Sequence, residues 1–284
     1  MSEIRADITL GEKKRSLWNP SSMVASLWQN RELIKQFVKR EVIGRYKGSY
    51  LGLFWSFLNP LFMLAVYSFV FSVVFEAKWG IGTGSKIEFA LVLFCGLTTF
   101  NIFAEVISRA PNLIVSNVNY VKKVVFPLEI LPIVVLGSAL VQAAISLVLL
   151  VSALVVFMGI FHWTMLLLPL VLLPQLLLVL GAGWFLASLG IFLRDIGHVI
   201  MIIVQVLMFM TPIFYPITAV PEKLRWMFEI SPIYHVVDDM RRIFIWGQLP
   251  SWNWLILNIL LSSCIAILGY VWFQRTRGGF ADVL

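Results

Sequence analysis

Side chains that could transfer protons cluster in one stretch toward the carboxyl-terminal end of the chain. They are Glu222, Glu229, His235, Asp238 and Asp239. Carboxylates and an imidazole could supply the acid and base groups of an enzyme. Asp238, however, precedes Arg241 and Arg242 by three and four residues, which is the spacing at which side chains on one helix form ion pairs. The pattern therefore favours simple ion pairs over a catalytic site.

Two chemistries that would drive transport are missing from the sequence. No ionisable residue stands near the centre of an apolar run, and Glu105 with Arg109 lies at the end of one. Carriers driven by protons or sodium usually keep carboxylates or histidines there, because a charge inside a membrane is costly and is kept where it works. The chain also lacks a Gly-x-x-x-x-Gly-Lys-Ser/Thr loop for nucleotide phosphates. If the chain takes part in active transport, we expect the energy to come from another subunit.

The elements that position these residues are predicted to be membrane helices. Hydrophobic residues make up 60% of the chain and charged residues 13%, whereas a soluble domain carries about 25% charged residues. Six apolar runs follow one another, at residues 53–75, 89–108, 133–160, 165–193, 199–217 and 254–273. The first is long enough to cross a hydrocarbon core of about 30 Å at about 1.5 Å per residue. The predicted fold is an all-α, polytopic membrane protein with six transmembrane helices.

The two cysteines, Cys95 and Cys264, both lie inside apolar runs. Buried free cysteines behave as small hydrophobic residues, so this placement indicates neither a disulfide framework nor a metal cluster. We expect no catalytic residue, no metal site and no cofactor bound by this chain.

A basic amphipathic helix is predicted directly before the first apolar run. One side of its helical wheel carries Leu33, Ile34, Phe37 and Val38. The other side carries Glu32, Lys35, Gln36, Lys39 and Arg40. This pattern is typical of a helix that lies in the headgroup plane, although it also occurs in the core of soluble domains. The long uncharged run that follows favours the membrane, and we assign Arg40, Arg45 and Lys47 to an interfacial helix.

The distribution of basic residues predicts the orientation and the partners. With odd-numbered spans running outward, sixteen of the 22 Lys and Arg residues fall on one side. Basic loops are retained in the cytoplasm, so both termini are predicted to be cytoplasmic. The net charge of +7 could suggest nucleic acid, but the charges flank the spans, so we expect a membrane and no nucleic acid as partner. Residues 1–50 contain no apolar core with a cleavage site, so the first span is expected to act as the insertion signal.

Two short loops on the predicted cytoplasmic side could receive force from another subunit. Between the second and third spans, Pro127 and Pro132 close a compact segment, which favours a short helix and a fixed exit into the third span. The candidate coupling residues in the two loops are Tyr120, Lys122, Lys123, Glu129, Arg194 and Asp195. Spacing alone equally allows topology-setting lysines and a simple ion pair in the turn at residues 194 and 195.

The longest predicted outer connection covers residues 218–252. Pro221, Pro232 and Pro250 interrupt its apolar stretches, which is consistent with short re-entrant helices that dip partly back into the membrane before the last span. Aromatic residues are frequent in and before this connection, and most residues of this kind form a belt at the membrane interface.

The chain resembles the permease subunits of type-2 ABC exporters, in the branch that exports polysaccharides such as O-antigen, capsule or teichoic acid. The resemblance extends from about residue 31 to residue 282. Its motifs are Arg45-Tyr46-Lys47 with Leu51-Gly52, Trp55-Ser56 and Asn59-Pro60; Lys122-Lys123-Val124 with Phe126-Pro127, Glu129 and Leu131-Pro132; Phe192 with Arg194-Asp195-Ile196; Thr211-Pro212-Ile213 with Tyr215; and Ser231-Pro232. The order of these motifs along six spans makes the set specific, although each motif alone is weak.

The resemblance implies a homodimer that binds two copies of a separate ATPase, with ATP and Mg²⁺ held in that partner. It also implies a polyprenyl-linked polysaccharide substrate, an outer gate formed by the re-entrant helices and a location in the bacterial inner membrane. Residues 31–284 would form the transmembrane domain, and residues 1–30 a cytoplasmic extension without an assigned function. Rings can stack on sugar faces, so the candidate glycan path and gate residues are Trp55, Phe214, Tyr215, Trp226 and Tyr234. A passive channel without an ATPase and a membrane-embedded glycan enzyme remain the alternatives.

Overall fold

A computed structural model describes residues 25, 27–48, 50–70, 86–122 and 126–284. Within these ranges the regular elements are helical. The helices are α1 (Arg31–Tyr46), α2 (Trp55–Ser68), α3 (Lys86–Arg109), α4 (Val118–Lys122), α5 (Leu131–Ala153), α6 (Leu168–Phe192), α7 (Ile196–Met210), α8 (Glu222–Glu229), α9 (Pro232–Phe244), α10 (Trp252–Thr276) and α11 (Phe280–Val283). The prediction of an all-α polytopic fold is confirmed.

Four helical stretches are long and apolar enough to cross a membrane. They are Lys86–Asn112, Leu128–Met158, Trp163–Phe192 and Trp252–Val283, whereas Trp55–Tyr67 and Ile196–Met210 are shorter apolar helices. These six stretches correspond to the six predicted runs. The predicted first span continues to residue 75, but residues 71–85 lie outside the described residues.

The fifth predicted span is longer than the helix that forms. The apolar run extends to residue 217, but α7 ends at Met210 and Thr211 adopts an extended conformation with ψ 126°. Pro212 follows Thr211, and a proline ring disfavours the helical conformation for the residue before it. The 15 residues of α7 span only about 22 Å. The segment after Met210 is therefore non-helical backbone inside the bundle.

Helix α3 lies at the centre of the bundle and packs against α2, α5, α6, α7 and α9. Most of its residues are buried, including Phe100 and Val106. Helices α6 and α10 form the most extensive helix pair. Their backbones meet at Gly181 and Gly269, where a Cβ atom on either residue would collide with the backbone of the opposite helix. Small residues permit this close approach between membrane helices.

The predicted re-entrant helices form a short hairpin, α8–α9, at the end of the bundle opposite α1. Helix α9 packs against α3 and α6, and its Val237, Met240 and Phe244 are almost fully buried. Its Arg241 reaches Gly96 of α3, which lies about 15 Å along that helix from Lys86. The hairpin thus folds back among the spans, as the prolines of this connection predict.

Candidate functional site

A partly polar cavity of about 470 Å³ lies between α2, α3 and α5, with Met208 of α7 at its wall. The apolar part of its lining includes Pro60, Met63, Leu64, Tyr67 and Phe94. The polar part consists of Asn59, Thr98, Asn101, Gln142 and Ser146, together with Arg45 and Glu105. The hydroxyl of Thr98 is buried and finds no hydrogen-bond partner among the described residues. The lining therefore combines amides, hydroxyls and ring faces, which suit a hydroxylated ligand better than an ion.

The side of the cavity near α1 is closed by a network of charged side chains. Arg45 pairs with Glu105 of α3 and donates a hydrogen bond from Nη2 to Ser138 Oγ of α5 at 2.7 Å. Arg109 pairs with Glu41 of α1 and lies 3.5 Å from Glu105. This network ties α1 to two spans. Arg45 lies on α1, the predicted interfacial helix, and its guanidinium turns inward toward a carboxylate that only the fold brings close.

The amphipathic pattern of α1 is confirmed. Leu33, Ile34 and Phe37 pack against the core, while Glu32, Lys35, Gln36, Lys39 and Arg40 are exposed. Val38 fits against Gly137 of α5, where a Cβ atom would lie 2.6 Å from a Val38 methyl. Lys47 is exposed just beyond the end of α1, so the helix presents its basic side away from the bundle.

The segment predicted to couple to another subunit contains the short helix α4, as expected from its prolines. Tyr120 stacks on Phe126 with ring centroids 4.5 Å apart, and Phe37 of α1 contacts both rings. Arg40 lies over the Phe37 ring and donates a hydrogen bond to the Tyr120 hydroxyl at 3.0 Å. Helix α1 therefore braces the predicted coupling segment laterally, through aromatic contacts and one polar contact.

Glu129 has an internal partner. Its side chain is 7% exposed and its carboxylate lies 3.0 Å from Arg277 Nη1. Arg277 also donates to the carbonyl of Phe126, and the indole of Trp184 donates to the carbonyl of Glu129. A carboxylate enclosed in this way would have to be uncovered before it could contact another subunit.

The remaining candidate coupling residues differ in their exposure. Lys122, Arg194 and Asp195 are exposed at the same end of the bundle, and the ion pair that spacing allowed between Arg194 and Asp195 does not form in the described structure. Lys123 lies outside the described residues. An exposed surface with charges of both signs is thus available beside the buried Glu129.

None of the five predicted path aromatics lines the cavity within the described part of the chain. Phe214 is buried between Tyr67 and Phe209, and Tyr215 donates a hydrogen bond to the Phe209 carbonyl. Trp55 is half-buried at the start of α2, Trp226 is exposed, and Tyr234 packs beside His235. The ring faces in the cavity belong to residues that sequence reasoning missed, Tyr67 and Phe94.

Two of the acid and base groups near the α8–α9 hairpin, His235 and Asp239, are engaged in structural contacts. His235 stacks on Trp254 at 4.1 Å, and its Nε2 lies 2.6 Å from the carbonyl oxygen of Glu229. Burial lowers the pKa of His235, which favours a neutral imidazole that donates to this carbonyl. Asp239 accepts a hydrogen bond from the backbone of Ser251.

The ion pairs expected of Asp238 require a correction. Arg242 pairs with Asp239 instead, at 4.0 Å, and Arg241 directs its guanidinium to three backbone carbonyls. Helical spacing permitted the pairs with Asp238, but the turn of α9 that carries Arg241 faces the interior. In the described residues, no group of three His, Cys, Asp or Glu side chains is placed to hold a metal ion.

Comparison with known proteins identifies one transporter family and several relatives. Residues 32–245 match the ABC-2 type transporter family. The O-antigen export system permease protein RfbA of Myxococcus xanthus is 27% identical over 92% of this chain and 98% of its own. A protein of the same name from Klebsiella pneumoniae is 23% identical over 89% and 95%. The polysialic acid transport protein KpsM of Escherichia coli is 27% identical over 84% and 90%.

Proposed function

The chain belongs to the ABC-2 type transporter family, and from this premise we propose that it is the permease subunit of an ATP-driven exporter that moves a lipid-linked polysaccharide from the cytoplasm to the periplasm or the outside. Relatives named for O-antigen export and polysialic acid transport align with it over most of their length. Hydrolysis of ATP would take place on a separate subunit, because the sequence contains no nucleotide-binding loop.

The observation that carries this proposal is the chemistry of the cavity between α2, α3 and α5. Asn59, Asn101 and Gln142 can exchange hydrogen bonds with sugar hydroxyls, while Tyr67 and Phe94 offer apolar faces for sugar C–H groups. Contacts of this kind are individually weak and repeatable, so that a polymer can pass without being trapped. His235 and Asp239, two of the acid and base groups near α9, are already engaged in structural contacts, which disfavours a glycan-processing enzyme.

The proposed assembly is a homodimer with two copies of the ATPase, located in the bacterial inner membrane. Helices α2 and α7, which border the cavity, carry exposed apolar side chains that a second copy or lipid must cover: Phe62, Val66, Ile202 and Phe209. The exposed charges of Lys122, Arg194 and Asp195 at the α1 end suit an ATPase surface. The presence of these exposed charges on the permease favours the ATP-driven exporter over a passive channel.

Obstructing the cavity tests the proposal. Asn101 is exposed toward the cavity, so Asn101→Trp is expected to fill the path without disturbing the core. In producing cells that lack the native gene, this variant should lose most surface polysaccharide and accumulate lipid-linked glycan inside. The matched control is Leu260→Trp, at a position on α10 that is 65% exposed and should accept a second large apolar group. Normal surface glycan with Asn101→Trp, or in cells that lack the chain altogether, would refute the proposed function.

The orientation is tested separately. Since most Lys and Arg residues flank the ends of the spans on the α1 side, we expect alkaline phosphatase fused after Lys223 to be active and the same enzyme fused after Leu284 to be inactive. Protein levels measured by immunoblot serve as the control. The reverse pattern of activity would place both termini in the periplasm and invert the proposed direction.

A further inference from the structure

Arg241 is a buried cation that reaches the middle of the apolar helix span Lys86–Asn112. The residue is 2% exposed, and its guanidinium lies beside Gly96 in the interior of α3. An arginine stays charged under all ordinary conditions, and a charge in the hydrocarbon region is retained only where its hydrogen bonds are satisfied and where it works. Burial of apolar surface alone therefore does not account for an arginine at this position.

Three carbonyls from two separate elements receive its hydrogen bonds. Nε donates to Val92 of α3 at 3.3 Å, Nη1 to Pro212 at 2.7 Å and Nη2 to Ile213 at 2.9 Å. Pro212 and Ile213 belong to the non-helical backbone that follows α7. Carbonyls exposed by a broken helix must be satisfied internally when they lie within a membrane. The planar guanidinium, with donors pointing in several fixed directions, can serve all three carbonyls at once.

Gly96 creates the space for this arrangement. A Cβ atom at this position would lie 2.7 Å from Arg241 Nη2 and 3.3 Å from Cζ, so any larger residue would force the guanidinium to shift relative to its carbonyls. A glycine in the interior of a helix costs about 1 kcal/mol relative to alanine, and the clearance for Arg241 accounts for its presence in α3.

We propose that Arg241 is a positioning residue that latches the α8–α9 hairpin to α3 and to the end of α7. Both of these elements line the cavity, α3 through Leu97 and Thr98 and α7 through Met208. A displacement of the α8–α9 hairpin is thereby transmitted to the wall of the cavity. The position of the hairpin and the width of the cavity therefore change together. This inference rests on the proposed function for its transport readout, but the latch itself is a structural contact that is tested without a glycan.

The structural test is hydrogen–deuterium exchange of the purified full chain in lipid nanodiscs, with the peptide that covers residues 208–216 as the reporter. Arg241→Gln and Gly96→Ala are both expected to increase exchange there, since each disturbs the hydrogen bonds that hold the backbone at Pro212 and Ile213 and so exposes the amide hydrogens of this peptide. Arg241→Lys should give an intermediate increase. Its ammonium group keeps the positive charge but cannot reach several carbonyls at once, as the planar guanidinium does. The controls are Arg242→Gln, for a half-buried side chain that pairs with Asp239, and Gly183→Ala, where the nearest atom to a Cβ is 3.6 Å away.

The transport test uses the same variants in cells. Arg241→Gln and Gly96→Ala are expected to lose most surface glycan while the partner ATPase still copurifies and hydrolyses ATP, and the double variant should lose no more than either single one. If Arg241→Gln fails to accumulate, Gly96→Ala serves as the test variant, because it retains the arginine and adds a single methyl group. Unchanged exchange and unchanged export in Gly96→Ala would refute the proposed role of Arg241. Absence of glycan export by the wild-type chain would instead refute the proposed function and leave the exchange result as the test of the latch.

Discussion

Gly269→Ala is expected to prevent most of the chain from accumulating in a folded form. A Cβ atom on Gly269 would lie 2.7 Å from the carbonyl carbon and 2.9 Å from the Cα of Gly181, with the carbonyl oxygen closer still. Backbone atoms cannot rotate aside as a side chain can, so α6 and α10 would have to separate along their shared surface. Gly181→Ala should act in the same way, because its Cβ would lie 2.6 Å from the Cα of Ala266.

The magnitudes favour a net loss of stability. Replacing glycine with alanine inside a helix favours folding by about 1 kcal/mol. Overpacking costs about 1–3 kcal/mol and occasionally more, and the upper part of this range applies because the obstacle is backbone. Gly278→Ala is the control, since a Cβ atom there meets nothing within 4 Å.

The measurement is the melting temperature and the monodisperse fraction of each variant in detergent. Gly269→Ala should show a lower melting temperature and a smaller monodisperse fraction than both the wild type and Gly278→Ala. Equal melting temperatures for Gly269→Ala and Gly278→Ala would mean that α6 and α10 do not approach as closely as this structure describes.

The number and order of the spans could be predicted from the sequence because hydropathy is a local property. The six apolar runs correspond to six helical stretches, and the polar and apolar sides of α1 match its helical wheel. One wall of the cavity could also have been predicted from residue spacing. Asn59, Met63 and Tyr67 follow one another at intervals of four residues, which places them on one face of a helix, and all three line the cavity.

Contacts between distant parts of the chain could not be predicted in this way. Arg241 was counted as an outer charge because counting along the chain gives no depth, and only the return of α9 to Gly96 brings it into the bundle. Glu129 looked available for a partner because it stands in a short loop, and its pairing with Arg277 joins positions 148 residues apart. Arg45 was assigned to the interfacial helix, and only the fold brings Glu105 close as its partner.

Reversing the charge of Glu129 is expected to uncouple ATP hydrolysis from export. The Glu129–Arg277 pair holds the carboxyl-terminal end of the chain against the coupling segment, and Arg277 also bonds the carbonyl of Phe126. Phe126 stacks on Tyr120, which contacts α1. Glu129→Arg would place two like charges together and loosen this connection, so force applied near residue 120 would no longer reach α5.

The charge swap separates loss of this contact from general damage. A hydrogen bond between charged groups contributes about 1.5–3 kcal/mol, and the partial exposure of Arg277, at 36%, favours the lower end of that range. The double variant Glu129→Arg with Arg277→Glu should therefore regain much of the export that the single reversal loses. Asp282→Arg is the matched control, since it makes the same change of charge at an exposed position in α11.

Export per ATP hydrolysed, measured with the copurified ATPase, is the readout. We expect Glu129→Arg to retain hydrolysis and lose most export, the swap to recover the ratio, and Asp282→Arg to match the wild type. A wild-type ratio in Glu129→Arg would show that force enters elsewhere. The exposed turn with Arg194 and Asp195 is then the next surface to test, because it lies at the same end of the bundle and connects directly to α7, whose Met208 borders the cavity.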